Sequence, residues 1–209
     1  MELHDISVER SVDPSLIRWP MKDILSGQEG EKVNRLFFNL AGMPWPAVEK
    51  VIQYEEQSLA RIESGGEEEE EDESEDEDWD EWEDPKHLFG LDLGVASAVA
   101  ALSAANCFPV SSCNGESGHN APPPTVLFRS RVARVPDVIE AAEEADCGLI
   151  NNYDSLELYA AHVRNLVEFA RALLKRRRHL RPLYHRGRGS RVSRLRQRRM
   201  VIKSQLPLL

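Results

Sequence analysis

The chain is short of cysteine, of uninterrupted apolar sequence and of recognisable sorting signals. Its 209 residues include three cysteines, an odd number that favours reduced thiols over a disulfide framework. No stretch approaches the roughly 18 apolar residues of a membrane helix. The first twenty residues also lack the basic start and apolar run of a secretory signal. These absences predict a cytoplasmic protein with no membrane span.

Sequence motifs that identify common enzymes are also missing. The chain contains no phosphate-binding loop, no Gly-x-Gly-x-x-Gly, no His-Glu-x-x-His and no Gly-x-Ser-x-Gly. Each of these motifs fixes a particular chemistry, so their absence favours a non-catalytic protein. The alternative is an enzyme that uses other residues.

Charge is divided unevenly along the sequence. All 36 acidic residues lie at or before Glu168, whereas 14 of the 26 Lys and Arg lie from Arg171 onward. Residues 1–170 therefore carry a net charge of −24 and residues 171–209 carry +14. The overall value of −10 is the sum of these two opposed charges and conceals what each part presents to a partner.

Residues 1–64 are predicted to form a helical N-terminal segment. Apolar residues recur at helical spacing before a glycine stop: Val33, Leu36, Phe37, Leu40 and then Gly42. A second helix is predicted to begin near Pro46, a favourable first helical residue, and to run through Ile62.

Residues 65–87 are predicted to be a disordered acidic linker. Within residues 67–84, 15 of 18 side chains are acidic, and such a run repels itself and has little apolar surface to bury. Trp79 and Trp82 near its end either pack on the following domain or anchor a partner surface.

Residues 88–174 are predicted to form a small α+β domain. The small-residue helix GVASAVAALSAAN is followed by two antiparallel strands, CFPVSSC and TVLFRS. A helix then opens at Val135-Pro136-Asp137, LINNY and LELYA form a hairpin around Asp154-Ser155, and AHVRNLVEFARALL closes the domain. The order αββαββα predicts an antiparallel sheet with helices on one face.

The loop after the first of these strands is the best candidate for a chemical site. Cys113 and His119 lie six residues apart in a glycine-containing stretch. Cys113 can be a catalytic thiolate nucleophile with His119 as its base. Alternatively, both can be zinc ligands, with Cys107 or Cys147 completing the site. A third reading makes Cys113 a buried strand-end residue and His119 an exposed loop residue.

The domain is similar to an uncharacterised bacterial family. The resemblance rests on LDLGVASAVAALSAANCFPVSSCNG, on His119, on a strand like TVLFRS and on a helix that ends ADCGLINNYDSLELYA. It covers residues 88–174 and implies that these are the domain boundaries and that the loop matters. It implies no reaction, because the family has no known activity.

Residues 175–209 are predicted to be a basic, disordered tail. Thirteen basic residues lie between Lys175 and Lys203, and no acidic residue follows Glu168. Arginine-rich segments of this kind bind phosphates by counterion release. The candidate binding residues are Arg176, Arg177, Arg178, Arg186, Arg188, Arg198 and Arg199.

The tail can bind one of several negatively charged partners, anionic lipid among them, or remain solvated with none. Nucleic acid and an acidic protein both offer negative charge, and so does the chain's own acidic linker, with which the tail can pair. The sequence therefore favours a non-catalytic binding protein whose charged appendages contact protein or nucleic acid. The alternative is a small thiol-dependent or zinc-dependent enzyme that uses Cys113 and His119.

Overall fold

A computed structural model of the protein describes residues 4–19, 40, 43–65, 88, 90–115 and 123–180. The predicted helix at residues 33–40, apart from Leu40, lies outside these ranges. So do nearly all of the acidic linker and the chain beyond Leu180. Among the described residues, no helix has the length and apolar character needed to cross a membrane.

Four helices and five strands make up the described fold. The helices are α1 (Trp45–Glu63), α2 (Ala96–Ala104), α3 (Val135–Glu144) and α4 (Val163–Lys175), with a 3₁₀ turn at Val132–Arg134 before α3. The strands are β1 (Arg10–Ser11), β2 (Phe108–Cys113), β3 (Thr125–Arg129), β4 (Gly148–Asn152) and β5 (Ser155–Tyr159). From α2 onward the order is αββαββα, which confirms the predicted α+β fold.

The strands form one mixed sheet in the order β1-β4-β5-β3-β2. Strands β2, β3, β5 and β4 pair antiparallel, as predicted, but β1 pairs parallel with β4. The expectation of a purely antiparallel sheet is corrected by this one edge strand. With only Arg10 and Ser11, it has too few residues to show the alternation that identifies a strand.

Alternation along the central strands places the core on one face of the sheet. Val126 and Phe128 on β3 and Leu156 and Leu158 on β5 are fully buried. Their neighbours Thr125, Leu127, Glu157 and Tyr159 are only half-buried. Because successive side chains point to opposite faces, the helices cover one face and leave the other partly open.

Helix α2 is the centre of the core. All nine of its residues are buried, and it packs against α1, α4 and β2. Its alanines and serines allow neighbouring elements to approach closely. Helix α1 buries Val48, Val51, Ile52 and Leu59 in the same core, so part of the N-terminal segment packs with the domain at residues 88–174.

Helices α2 and α3 end in the same way. Each is followed by a polar residue with positive φ, Asn106 at 61° and Asp146 at 53°, and then by a buried cysteine that begins the path into a strand. The amide of Cys107 donates to the carbonyl of Leu102 and that of Cys147 to Ala142, at 2.9 and 2.8 Å. Asn and Asp tolerate this left-handed conformation better than most residues, which stops both helices.

Candidate functional site

The predicted chemical loop begins at the end of β2. Cys113 is the last residue of that strand and pairs with Thr125, which pairs in turn with Tyr159, and Tyr159 with Gly148. We call this row of residues the loop end of the sheet. Cys113 is half-buried there, but His119 lies outside the described residues, so its pairing with Cys113 stays a prediction.

A histidine that the sequence did not single out lies beside this loop. Gly115 has a φ of 77°, and a Cβ atom built there would lie 3.1 Å from Nε2 of His4. The amide of His4 donates to the carbonyl of Ala161 at 2.9 Å, which holds the N-terminal segment at the loop end. No sequence signal connects residues so far apart, since His4 belongs to no motif.

The other histidine at the loop end has a structural task. Nδ1 of His162 accepts a 3.2 Å hydrogen bond from the amide of Arg164, which makes His162 the N-cap of α4. Burial lowers the pKa of His162, with the Glu63 carboxylate opposing and Arg164 adding to the decrease. A neutral imidazole is what the cap requires, because a protonated Nδ1 cannot accept a hydrogen bond.

The two cysteines proposed to complete a zinc site with Cys113 are too far from it. Cys107 precedes the six-residue strand that Cys113 ends, a distance of about 20 Å. Cys147 precedes β4, which lies three strand spacings, or about 14 Å, from β2. Zinc ligands lie about 2 Å from the metal, so neither cysteine can share a zinc ion with Cys113.

Both buried cysteines instead belong to the helix-to-strand junctions. Sγ of Cys107 lies 3.4 Å from Oγ of Ser130, and Sγ of Cys147 lies 3.3 Å from the carbonyl oxygen of Asn165. Burial raises the pKa of Cys107 to about 11 and that of Cys147 to about 12. Among the residues that the structure describes, no group of three His, Cys, Asp or Glu side chains could hold a metal ion.

The opposite end of the sheet exposes an aromatic side chain. Strands β4 and β5 are joined by Tyr153 and Asp154, one residue earlier than the predicted Asp154-Ser155 turn. Tyr153 has a φ of 53° and is 93% exposed. This conformation costs a residue with a side chain about 1–2 kcal/mol, and packing does not offset it because the ring is in solvent. We call this part of the sheet the tip end.

The N-terminal segment returns to the tip end after β1. The amide of Arg18 donates to the carbonyl of Asp154 at 3.1 Å, and the guanidinium of Arg131 lies over the ring of Trp19, 4.6 Å from its centroid. The carboxylate of Asp154 pairs with Arg129 at 2.9 Å. Within the described ranges, neither Arg18 nor Arg131 has a carboxylate partner within 4 Å.

The basic tail also starts at the tip end. The side chain of Arg134, three residues beyond Arg131, donates to the carbonyl of His179 at 3.1 Å. Of the seven candidate arginines in the tail, the structure describes three. Arg176 donates to Glu144 at 2.6 Å and contacts Glu140, whereas Arg177 and Arg178 are exposed. The other four, Arg186, Arg188, Arg198 and Arg199, lie outside the described residues.

The acidic linker is attached at the other end of α4. Before the linker, Glu63 pairs with Arg164 in the first turn of α4, through a 2.6 Å bond to its Nε. After the linker, Gly94 packs against Val163, the first residue of the same helix. Helix α4 has 13 residues and is about 20 Å long, so the linker and the tail leave the domain about 20 Å apart.

Comparison with known proteins identified no match: no family model, no curated protein and no solved structure is similar to the chain.

Proposed function

We propose that this is a non-catalytic binding protein whose charged appendages contact other macromolecules, and that its basic tail binds a polyanion. One observation carries the proposal. The tail begins at the tip end, where Tyr153 and Trp19 are exposed and where the described residues offer Arg18 and Arg131 no carboxylate partner. Aromatic and arginine side chains are enriched at binding surfaces, and a basic segment beside them extends the same charge.

The roles of several reactive side chains in the fold support a non-catalytic protein. Glu55, which is buried on α1, accepts hydrogen bonds from the amides of Ala96 and Ser97 in the first turn of α2, and His162 caps α4. The hydroxyl of Tyr159 donates to the carbonyl of Ser7 and accepts from the amide of Glu9. Cys107 and Cys147 are buried thiols with raised pKa values. Groups engaged in this way are occupied in holding the structure together.

We further propose that the protein acts in the cytoplasm and that self-pairing competes with the partner. The linker carries 15 acidic residues within residues 67–84, against 13 basic residues between Lys175 and Lys203. A tail tethered in the same chain meets the linker at an effective concentration in the millimolar range. Neutralising residues 67–71 with glutamine should therefore tighten binding of the tail to an external polyanion.

The test compares full-length variants that differ only in the tail. We expect replacement of Arg186, Arg188, Arg198 and Arg199 by glutamine to weaken binding to heparin and to a 20-nucleotide single strand. Each lost phosphate contact should reduce the slope of log K against log salt by about 0.7, or about 3 for all four. Lysine at the same four positions keeps the charge and should preserve the slope. Equal slopes for the glutamine and lysine variants would refute the role given to the tail.

A second candidate function uses the thiol of Cys113. It is favoured by the position of His4, whose Nε2 lies at Gly115, two residues beyond the cysteine. If the pair forms a nucleophile and base, iodoacetamide should modify Cys113 faster than it modifies glutathione near pH 7, and His4→Ala or His119→Ala should slow it. A rate like that of glutathione, unchanged in both variants, would exclude this function.

A further inference from the structure

The tip end of the sheet gathers most of the large exposed apolar side chains that the structure describes. Leu16, Trp19, Val132 and Tyr153 are exposed there, and Val110 on β2 is the fifth such residue of the described ranges. Together with Arg18 and Arg131, the four tip residues form what we call the tip surface. Packing within the domain does not explain why these side chains face solvent.

The tip surface holds two flat groups on segments that are joined by a backbone hydrogen bond. One is the ring of Tyr153, and the other is the guanidinium of Arg131, which lies on the ring of Trp19. The amide of Arg18, next to Trp19, donates a hydrogen bond to the carbonyl of Asp154, next to Tyr153. Both rings and guanidinium planes are surfaces on which unpaired nucleobases stack.

The charge of the tip surface suits a phosphate backbone. Arg18 and Arg131 are exposed cations without a carboxylate partner among the described residues. Of the acids next to these residues in the chain, Asp154 is paired with Arg129, whereas Asp13 keeps its negative charge while its Oδ1 accepts from the amide of Ser15. A phosphate that contacts Arg18 or Arg131 therefore does not have to displace a carboxylate from either arginine.

The start of the tail extends this charge beyond the tip surface. Arg134 joins His179 to the segment that carries Arg131 and Val132. The start of the tail thus lies against the segment that carries Arg131.

We infer that the tip surface binds single-stranded nucleic acid, with bases stacked on Tyr153 and on the Arg131–Trp19 pair and with a phosphate on Arg18. This rests on the proposed function, since the tail supplies most of the non-specific affinity. The tip surface adds the preference for unpaired bases. Leu16 and Val132 would suit a protein partner equally well, but the paired stacking surfaces beside an arginine-rich tail favour nucleic acid.

The experiment measures binding of the full-length protein to four probes at fixed salt: a 20-nucleotide single strand, the matching duplex, heparin and polyglutamate. The variant is Tyr153→Asn, because asparagine tolerates positive φ and removes only the ring. Tyr153→Phe keeps the ring and is the matched control. Val110→Ala controls for the loss of an exposed apolar side chain elsewhere.

We expect Tyr153→Asn to weaken single-strand binding by about 5- to 100-fold and to leave heparin binding within 2-fold, since stacking is lost and charge is kept. Tyr153→Phe and Val110→Ala should bind the single strand like the wild type. Equal affinity of Tyr153→Asn and wild type for the single strand would overturn the inference while leaving the tail experiment intact. A loss seen with polyglutamate and not with the single strand would overturn it in favour of an acidic protein.

Discussion

Glu55 provides the sharpest quantitative prediction about this fold. Its side chain, on α1, is fully buried and points at the N-terminus of α2. Oε1 accepts hydrogen bonds from the amides of Gly94 and Ala96 at 2.7 and 2.9 Å, and Oε2 accepts from Ser97 at 3.0 Å. A helix leaves its first amides without partners, and no residue of α2 supplies a side-chain cap. The carboxylate of Glu55, from another helix, supplies that cap.

Glu55→Ala should therefore destabilise the protein by about 3–5 kcal/mol. Each buried amide left without a partner costs about 1–3 kcal/mol, and removal of the buried charge recovers part of that loss. Glu55→Gln keeps the shape and one acceptor oxygen but turns an NH₂ group toward an amide donor. One bond is then lost, and the expected cost is about 1–3 kcal/mol.

Urea unfolding followed by far-UV circular dichroism would measure these differences from the midpoint and slope. The matched control is Glu49→Ala, an exposed glutamate on the same helix, which should change stability by less than about 0.5 kcal/mol. The reasoning would be refuted if Glu55→Ala cost under 1 kcal/mol, or if alanine and glutamine at this position cost the same.

The pH dependence gives an independent test of the buried carboxylate. Burial raises the pKa of Glu55, and hydrogen bonds from Ser97, Gly94 and Ala96 oppose this rise. When the pKa of a group is raised in the folded state, its contribution to stability is complete below the pKa of the unfolded chain. That contribution is lost as the pH rises through the pKa of the folded state. The advantage of wild type over Glu55→Gln should thus be larger at about pH 4 than at about pH 8. The opposite order would show that the hydrogen bonds outweigh burial.

Three further predictions concern other parts of the fold. Gly148→Ala should cost about 1–3 kcal/mol, because a Cβ there would overlap the ring of Tyr159, whose hydroxyl bonds to the backbone of Ser7 and Glu9. The displaced ring should expose the N-terminal segment to protease, and unchanged proteolysis would contradict this. Burial lowers the pKa of His162, so the cap contributes to stability above the ordinary pKa of histidine and is lost as the pH falls through the lowered pKa. Between roughly pH 7 and 5 the wild type should therefore lose about 1 kcal/mol of stability in thermal unfolding, whereas His162→Asn should not. An equal loss in the variant would contradict the role of the cap. Cys107 and Cys147 should react with a disulfide reagent at about pH 8 only after unfolding; two or more thiols titrating in the native protein would show that burial does not protect them.

The α+β fold was predictable where sequence pattern and packing agree. Pro136 and Asp137 mark the start of α3, and both lie in its first turn. The alternation in TVLFR matches the burial of Val126 and Phe128, which face the helices. Local signals suffice in these places because the same residues determine the element and its buried face.

Long-range contacts account for what the sequence did not reveal. Glu55 resembles any charged residue of an amphipathic helix until α2 supplies its amide donors. His4 reaches Gly115 only because the N-terminal segment passes the loop end, and β1 is a strand only because β4 lies beside it. The hypothesis that Cys107 or Cys147 shares a zinc ion with Cys113 was wrong because the number of residues between cysteines in the sequence does not give their distance along a strand or across a sheet.

The linker and the tail are attached near opposite ends of α4, so the acidic and basic segments leave the domain about 20 Å apart. At physiological ionic strength the Debye length is about 8 Å, less than half of the roughly 20 Å between the two attachment points. An anionic ligand at the tip end is then attracted by the tail and is only weakly repelled by the acidic residues where the linker is attached. At about 0.01 M salt the Debye length is near 30 Å, and repulsion from the acidic residues where the linker is attached reaches the ligand as well. The net charge of −10 is therefore a poor guide to what this molecule attracts in a cell.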